Sequence, residues 1–154
     1  MKTNHKKIVT AFMLITILAT LIHLSGCGGG SSDPTPTPIT KQEEVSAKLT
    51  SATWKMQTVT VDGIDKTSVY QDLSLKFSAT SFTSANGGAV WPASGTWTFT
   101  TADATAIKRD DGLEVTLQEV TDTSLKLALT WSKTTLGPGR IESVSGQNVF
   151  SFGL

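Results

Sequence analysis

The chain has 154 residues, 13 basic and 13 acidic side chains, two histidines and one cysteine, enough for one ordinary domain. Both histidines, His5 and His23, and the lone Cys27 lie near the N-terminus, so the chain beyond Cys27 excludes Ser-His-Asp and Cys-His catalysis, zinc sites built on His or Cys, and disulfide stapling. No basic run lies beyond that point either, which excludes a phosphate-neutralising nucleic-acid surface and a polybasic hold on anionic lipid.

In chain order, Lys2, Lys6 and Lys7 form a positive segment ahead of an apolar run from Ile8 to Ile22. That run suits a secretory signal and is short for a membrane-spanning helix. Leu24-Ser25-Gly26-Cys27 follows and resembles the lipobox of bacterial lipoproteins at all four positions. The resemblance implies cleavage before Cys27 and acylation of its thiol, with residues 1–26 removed as signal peptide. Each buried methylene of the acyl chains contributes about 0.8 kcal/mol, so such an anchor holds without a transmembrane helix. Processing would leave ten basic against thirteen acidic residues, a net charge of −3.

Residues 27–39 then read as the lipidated cysteine plus a tether. Gly28 to Ser32 have flexible-coil composition, and Asp33-Pro34-Thr35-Pro36-Thr37-Pro38 favours extended polyproline geometry. Fully stretched, the segment after Cys27 spans roughly 35 Å. Gly28, where an inner-membrane retention signal of the enteric type has Asp, implies by that resemblance an outer-membrane location in the cell envelope.

Residues 40–154 read as one β-domain behind a short helix. Thr40-Lys41-Gln42-Glu43 has the form of a capping box, and Lys41 to Ser51 puts Val45, Lys48 and Leu49 on one stripe. After it the period becomes alternating. Trp54 and Met56 share a parity that switches before Val59 and Val61, which predicts a bulge or a strand leaving one sheet face, ahead of a turn at Asp62-Gly63.

Leu73, Leu75 and Phe77 form a half-buried strand, and Phe82 lies in the next one, before a hairpin signal at Asn86-Gly87-Gly88. Gly95 to Thr100 carries Trp97 and Phe99; Ala104 to Lys108 is a weak strand ending at the turn Asp110-Asp111-Gly112. Val115 and Leu117 alternate with polar residues, and Leu125, Leu127, Leu129 and Trp131 make the strongest strand. Thr134 to Ser145, with Gly137-Pro138-Gly139, reads as a long loop, and Asn148 to Phe152 as the final strand.

Seven to nine short strands with regular turn signals predict an antiparallel sandwich or barrel. Pairing of the last strand with the Trp54 strand would remove both exposed edges and close a barrel.

Leu49-Thr50-Ser51-Ala52-Thr53-Trp54-Lys55, Ser94-Gly95-Thr96-Trp97-Thr98-Phe99 and Thr123-Ser124-Leu125-Lys126-Leu127 resemble the small lipocalin-like lipoproteins common in Bacteroidetes. The resemblance spans residues 45–154 and implies an all-β, antiparallel up-and-down barrel of about eight strands, in some members with an apolar cavity. Ala52 stands where lipocalins carry a glycine two residues before the tryptophan.

The candidate cavity lining is Trp54, Phe77, Trp97, Leu127 and Trp131, which lie on the apolar parity of their strands; the alternative for the same residues is a filled core. Trp91, beside a glycine turn, is expected at a barrel mouth as a partner surface. Asp110-Asp111-Gly112 reads as a turn rather than a calcium loop or carboxylate pair. Lys108-Arg109 and Arg140 are expected to be solvated. The function expected is a non-catalytic, lipid-anchored envelope barrel without metal or cofactor. It would bind a small apolar ligand, or alternatively act as an interaction, inhibitor or structural module through exposed loops.

Overall fold

The computed structural model describes residues 38–154; Cys27, the signal segment and the tether up to Thr37 lie outside the described residues. Helix α1 (Lys41–Thr50) begins where the capping box predicts. Glu43 N donates to Thr40 Oγ1 over 3.2 Å, and Thr40 N donates to Glu43 Oε2 over 2.7 Å. Lys41 and Lys48 flank Glu44 at 2.9 and 2.8 Å, and Val45 and Leu49 form the buried stripe.

Eleven strands follow, separated by short turns and one 3-10 turn: β1 (Thr53–Val61), β2 (Ile64–Asp65), the 3-10 turn (Thr67–Tyr70), β3 (Ser74–Phe77), β4 (Ser81–Ala85), β5 (Ser94–Phe99), β6 (Ala106–Arg109), β7 (Glu114–Val120), β8 (Ser124–Trp131), β9 (Thr135–Gly137), β10 (Arg140–Ser143) and β11 (Gly146–Gly153). β1, β3, β4, β5, β6, β7, β8 and β11 pair in sequence, and β11 pairs back onto β1. The result is a closed eight-stranded antiparallel up-and-down barrel. Closure leaves neither terminal strand with a free edge. The seam runs from Lys55 opposite Gly153 to Val61 opposite Asn148, and its register shifts between Met56 and Thr58, at the predicted parity switch.

Two elements lie outside the main ladder. β2 folds back on β1 through Asp62 (φ 51°) and Gly63 (φ 79°), the pair of positive φ values that a tight Asp-Gly hairpin requires. β9 and β10 form a separate two-stranded hairpin within the predicted Thr134–Ser145 loop; its strands are too short for alternation to be visible beside Gly137-Pro138-Gly139.

The up-and-down course gives the barrel two distinct ends. The near end carries α1 and the connections at 78–80, 100–105 and 121–123, with Gln42 Nε2 donating to Thr101 O over 2.9 Å. The far end carries the connections at 62–73, 86–93, 110–113 and 132–145. No helix among the described residues is long and apolar enough to cross a membrane.

Candidate functional site

The strand parity read from the sequence turns Trp54, Phe77, Trp97 and Leu127 into the barrel, where all four are buried. Trp54 stands under α1 and its Nε1 donates to Leu49 O over 2.9 Å. Trp131 is half-buried at the far rim, its Nε1 donating to Ser143 Oγ over 3.1 Å beneath the β9–β10 hairpin. These five positions therefore share a core, with Trp131 at its edge.

Trp91 departs from expectation. It is 1% exposed rather than presented at the mouth. The chain from Asn86 to Ala93 folds back into the far opening: Trp91 N donates to Gly87 O over 3.0 Å, and Ser84 Oγ donates to Trp91 O over 2.8 Å and to Pro92 O over 2.9 Å. A Cβ on Gly87 would lie 2.2 Å from Trp91 O, so only glycine permits the fold-back. The Trp91 Nε1 is buried without a hydrogen-bond partner among the described residues. Leaving that donor unpaired costs about 1–3 kcal/mol, whereas burying an indole of roughly 150–250 Å² contributes about 4–6 kcal/mol. Burial wins.

With Trp91 inside, aromatic rings run without a break through the interior. Trp97 meets Phe77 edge-on at 6.0 Å, Phe77 leans on Phe82 at 6.3 Å, Phe82 meets Trp91 at 5.9 Å, and Trp91 meets Phe150 at 5.9 Å. Phe150 then contacts Tyr70 at 5.1 Å and Phe152 at 6.3 Å. An eight-stranded barrel is just wide enough for side chains to fill it, and these rings pack against one another through its interior. Val45 and Leu49 of α1 stopper the near end, as Val90 and Trp91 do the far end.

Arg109, expected at the surface, is a second departure: it is 3% exposed. Its guanidinium lies 5.5 Å from the Phe82 ring centre and 5.2 Å from that of Trp91. Nη1 donates to Val90 O over 2.6 Å, and Nε and Nη2 pair with the Asp111 carboxylate. Asp111 also accepts from Leu113 N over 3.1 Å, so this carboxylate serves both the turn and the buried cation, in keeping with the turn reading. A desolvated cation over two aromatic faces is worth about 2 kcal/mol; here it pins the Trp91 loop to β6.

Tyr70, to which the sequence assigns no role, is buried beside Phe150. Its hydroxyl donates to Asn148 Oδ1 over 3.2 Å and accepts from Val144 N over 3.2 Å. Burial pushes the phenol pKa up, and the Val144 amide opposes that shift.

Outside the core, the far end holds a groove of about 440 Å³. The 3-10 turn supplies Ser68 and Val69 with Gln71 beside them, the β4–β5 loop supplies Asn86 and Gly88, and β10 supplies Arg140, Ile141 and Glu142. Next to it Leu136 and Ile141, directly paired across β9 and β10, are 77% and 45% exposed, and Ile64 on β2 is 62% exposed. The two shallower grooves described, of about 610 and 400 Å³, flank α1 at the near end. None of the three is lined by the five candidate cavity residues. Among the described residues no cluster of His, Cys, Asp and Glu has the makings of a metal site.

No protein-family model matches the chain, and no curated protein or solved structure is significantly similar to it.

Proposed function

We propose that this protein is a lipid-anchored, non-catalytic envelope lipoprotein with a lipocalin-like barrel, acting as an interaction module through the far end. Of the two functions expected from the sequence, the surface-acting one is favoured over the apolar-ligand carrier. The single observation that carries this choice is the continuous run of rings from Trp97 to Phe150, stoppered by Leu49 at one end and Trp91 at the other. A carrier needs an apolar cleft, commonly about 300–1,000 Å³, and here the interior volume is committed to side chains.

Pro38 to Thr40 lead directly into α1 at the near end, so the far end is the one remote from where the described chain enters the barrel. That end bears the exposed Ile64, Leu136 and Ile141.

A photo-crosslinking residue at position 136, introduced in the protein's own cells, tests the reading. A discrete protein adduct at 136, with none from a crosslinker at Asp122 of the near end, is the expected result. An apolar small molecule retained by the purified domain in native mass spectrometry would overturn it in favour of the carrier. For the anchor, Cys27→Ala is expected to abolish labelling by radioactive palmitate, and labelling that survives would refute acylation at Cys27.

A further inference from the structure

We propose that residues 86–93 form a lid on the far end, closed with Trp91 inside and able to open as a unit while the barrel stays folded. This goes beyond the surface-acting reading and does not depend on it. The loop enters the barrel through two side chains, Val90 and Trp91, set among exposed Asn86, Gly88, Ala89 and Ala93. Among the described residues no backbone hydrogen bond joins residues 86–92 to another element. Trp91 N donates to Gly87 O inside the loop, and the first bond beyond it is Ser84 N to Ala93 O over 2.9 Å. The barrel strands, by contrast, each pair with a neighbour on both sides. A segment held by side chains rather than by a ladder belongs to the part of a fold that opens first.

The closed state carries costs that fall on this loop. The Trp91 Nε1 is buried without a partner among the described residues, and opening would return that donor to water. Asn86 is held at φ 58°, in the left-handed region that a residue with a Cβ adopts at some strain. It opens the run Asn86-Gly87-Gly88 where the chain leaves β4, and two adjacent glycines can absorb the backbone rotation of a hinge. Burial of the indole outweighs these costs, so the closed state dominates and the open one is its minor companion.

Arg109 is the latch. From β6 its Nη1 donates to Val90 O over 2.6 Å, and its guanidinium lies 5.2 Å from the Trp91 ring centre, so one side chain grips both the backbone and the indole of the loop. The other ties are Ser84 Oγ to Trp91 O and Pro92 O, and Asn86 Nδ2 to Asp72 O at the hinge. Arg109 is aimed in turn by Asp111, whose carboxylate is exposed in the β6–β7 turn while the guanidinium is buried. The counter-ion of the latch thus stands in reach of water. Opening uncovers the Phe82 and Phe150 rings that now meet Trp91 edge-on, and any partner that prefers that face would shift the lid toward open.

Hydrogen exchange of the indole N–H groups, followed by NMR on the full chain in detergent at several low denaturant concentrations, tests the lid. After correction for intrinsic rates, the Trp91 indole should be at least tenfold less protected than the most protected backbone amides of the barrel strands. Its exchange should also depend little on denaturant, as an opening that exposes little surface does. Asp111→Asn keeps an acceptor for Leu113 N but takes the counter-ion from Arg109; it should lower Trp91 protection a further tenfold. Thr40→Ala, at the near-end helix cap, should leave it unchanged. Trp91 protection equal to that of the strand amides, with the same denaturant dependence, would mean that the loop leaves only when the barrel unfolds, and would overturn the lid. Protection indifferent to Asp111→Asn would overturn the latch. The wild-type comparison decides the first point whether or not the variant folds.

Discussion

At the near end the chain turns from β3 to β4 through Ser78–Thr80 and from β7 to β8 through Thr121–Thr123. At the far end it takes residues 62–73, 86–93 and 132–145 to make three of its four connections. Hairpin connections of two to about five residues suffice to close antiparallel strands, and the near end stays close to that minimum. Its hydroxyls are spent locally: Ser124 N donates to Thr121 Oγ1 over 2.9 Å, and Thr105 N to Thr101 Oγ1 over 3.2 Å. The far end holds its backbone firmly but, among the described residues, leaves the side chains of Ser68, Gln71, Arg140 and Glu142 without a hydrogen bond or ion pair and Leu136 exposed. Closure alone does not call for the extra chain there, so the contrast separates what the barrel requires from what it presents.

The largest effects should fall on Trp54, the ring beneath the near-end stopper, and on Trp91, the far-end stopper. Trp54→Ala and Trp91→Ala are each expected to cost about 3–5 kcal/mol in chemical denaturation. A cost near zero for Trp91→Ala would mean that the far plug contributes nothing to the fold, and the two ends would no longer compare as closures. Next comes Arg109→Ala, expected at about 2–3 kcal/mol, because it leaves Val90 O and the Phe82 and Trp91 faces without their cation. Arg109→Met keeps the bulk and should recover part of that loss, together with a shift in indole fluorescence in the same titration.

At the near end, Thr40→Ala removes the cap of α1 and should cost about 1 kcal/mol. Faster amide exchange is expected in α1 but not in the β9–β10 hairpin. Acid offers a gentler probe of the same contrast. Lys48 and then Lys41 hold the Glu44 carboxyl at about 2, below its ordinary 4.5, and the Thr40 bonds lower Glu43. Both carboxylates favour the folded helix when ionised, so their contribution is present above pH 4.5 and fades as pH falls toward 2. Asp65 is lowered at the far end by the Thr67 hydroxyl and amide, so exchange between pH 5 and 2 should rise first in α1 and more weakly at the β2 turn. Smallest of all, Leu136→Asp should alter stability by less than about 0.5 kcal/mol while abolishing the crosslink from a neighbouring far-end position. A large destabilisation instead would make the exposed hairpin part of the fold's foundation.

Much of the near end and of the strand order was legible before any coordinates. The capping box at Thr40, the Asp62-Gly63 turn, the Leu125, Leu127 and Leu129 alternation and the bulge after Met56 are local signals, and each acts through atoms a few residues apart. Closure through β11 followed from the cost of an open edge. The far end was harder because its determinants are not periodic. Alternation assigns a face only to a residue in a strand; Trp91 sits in a loop, and its position depends on Gly87 tolerating a close approach. Arg109 follows the inward parity of β6, yet its charge argues for solvent until Phe82, Trp91 and Asp111 are seen around it. The groove joins residues near 70, 87 and 141, a proximity no local pattern encodes.

The β1–β11 seam also bears on how the molecule comes to be folded. Lys55 and Gly153 meet across about 100 residues of intervening chain, and such a loop is entropically the slowest kind to close. Every other pair of neighbouring barrel strands can zip along the sequence, whereas β1 must wait for the last strand to arrive. Until then two strand edges stand open, and the chain is vulnerable to sticking to its own copies. Pulsed amide labelling during refolding should find the Asp62 amide, which donates to Gln147 O at the seam, protected after those of β7 and β8. The step that completes the barrel is thus also the step that retires its aggregation hazard.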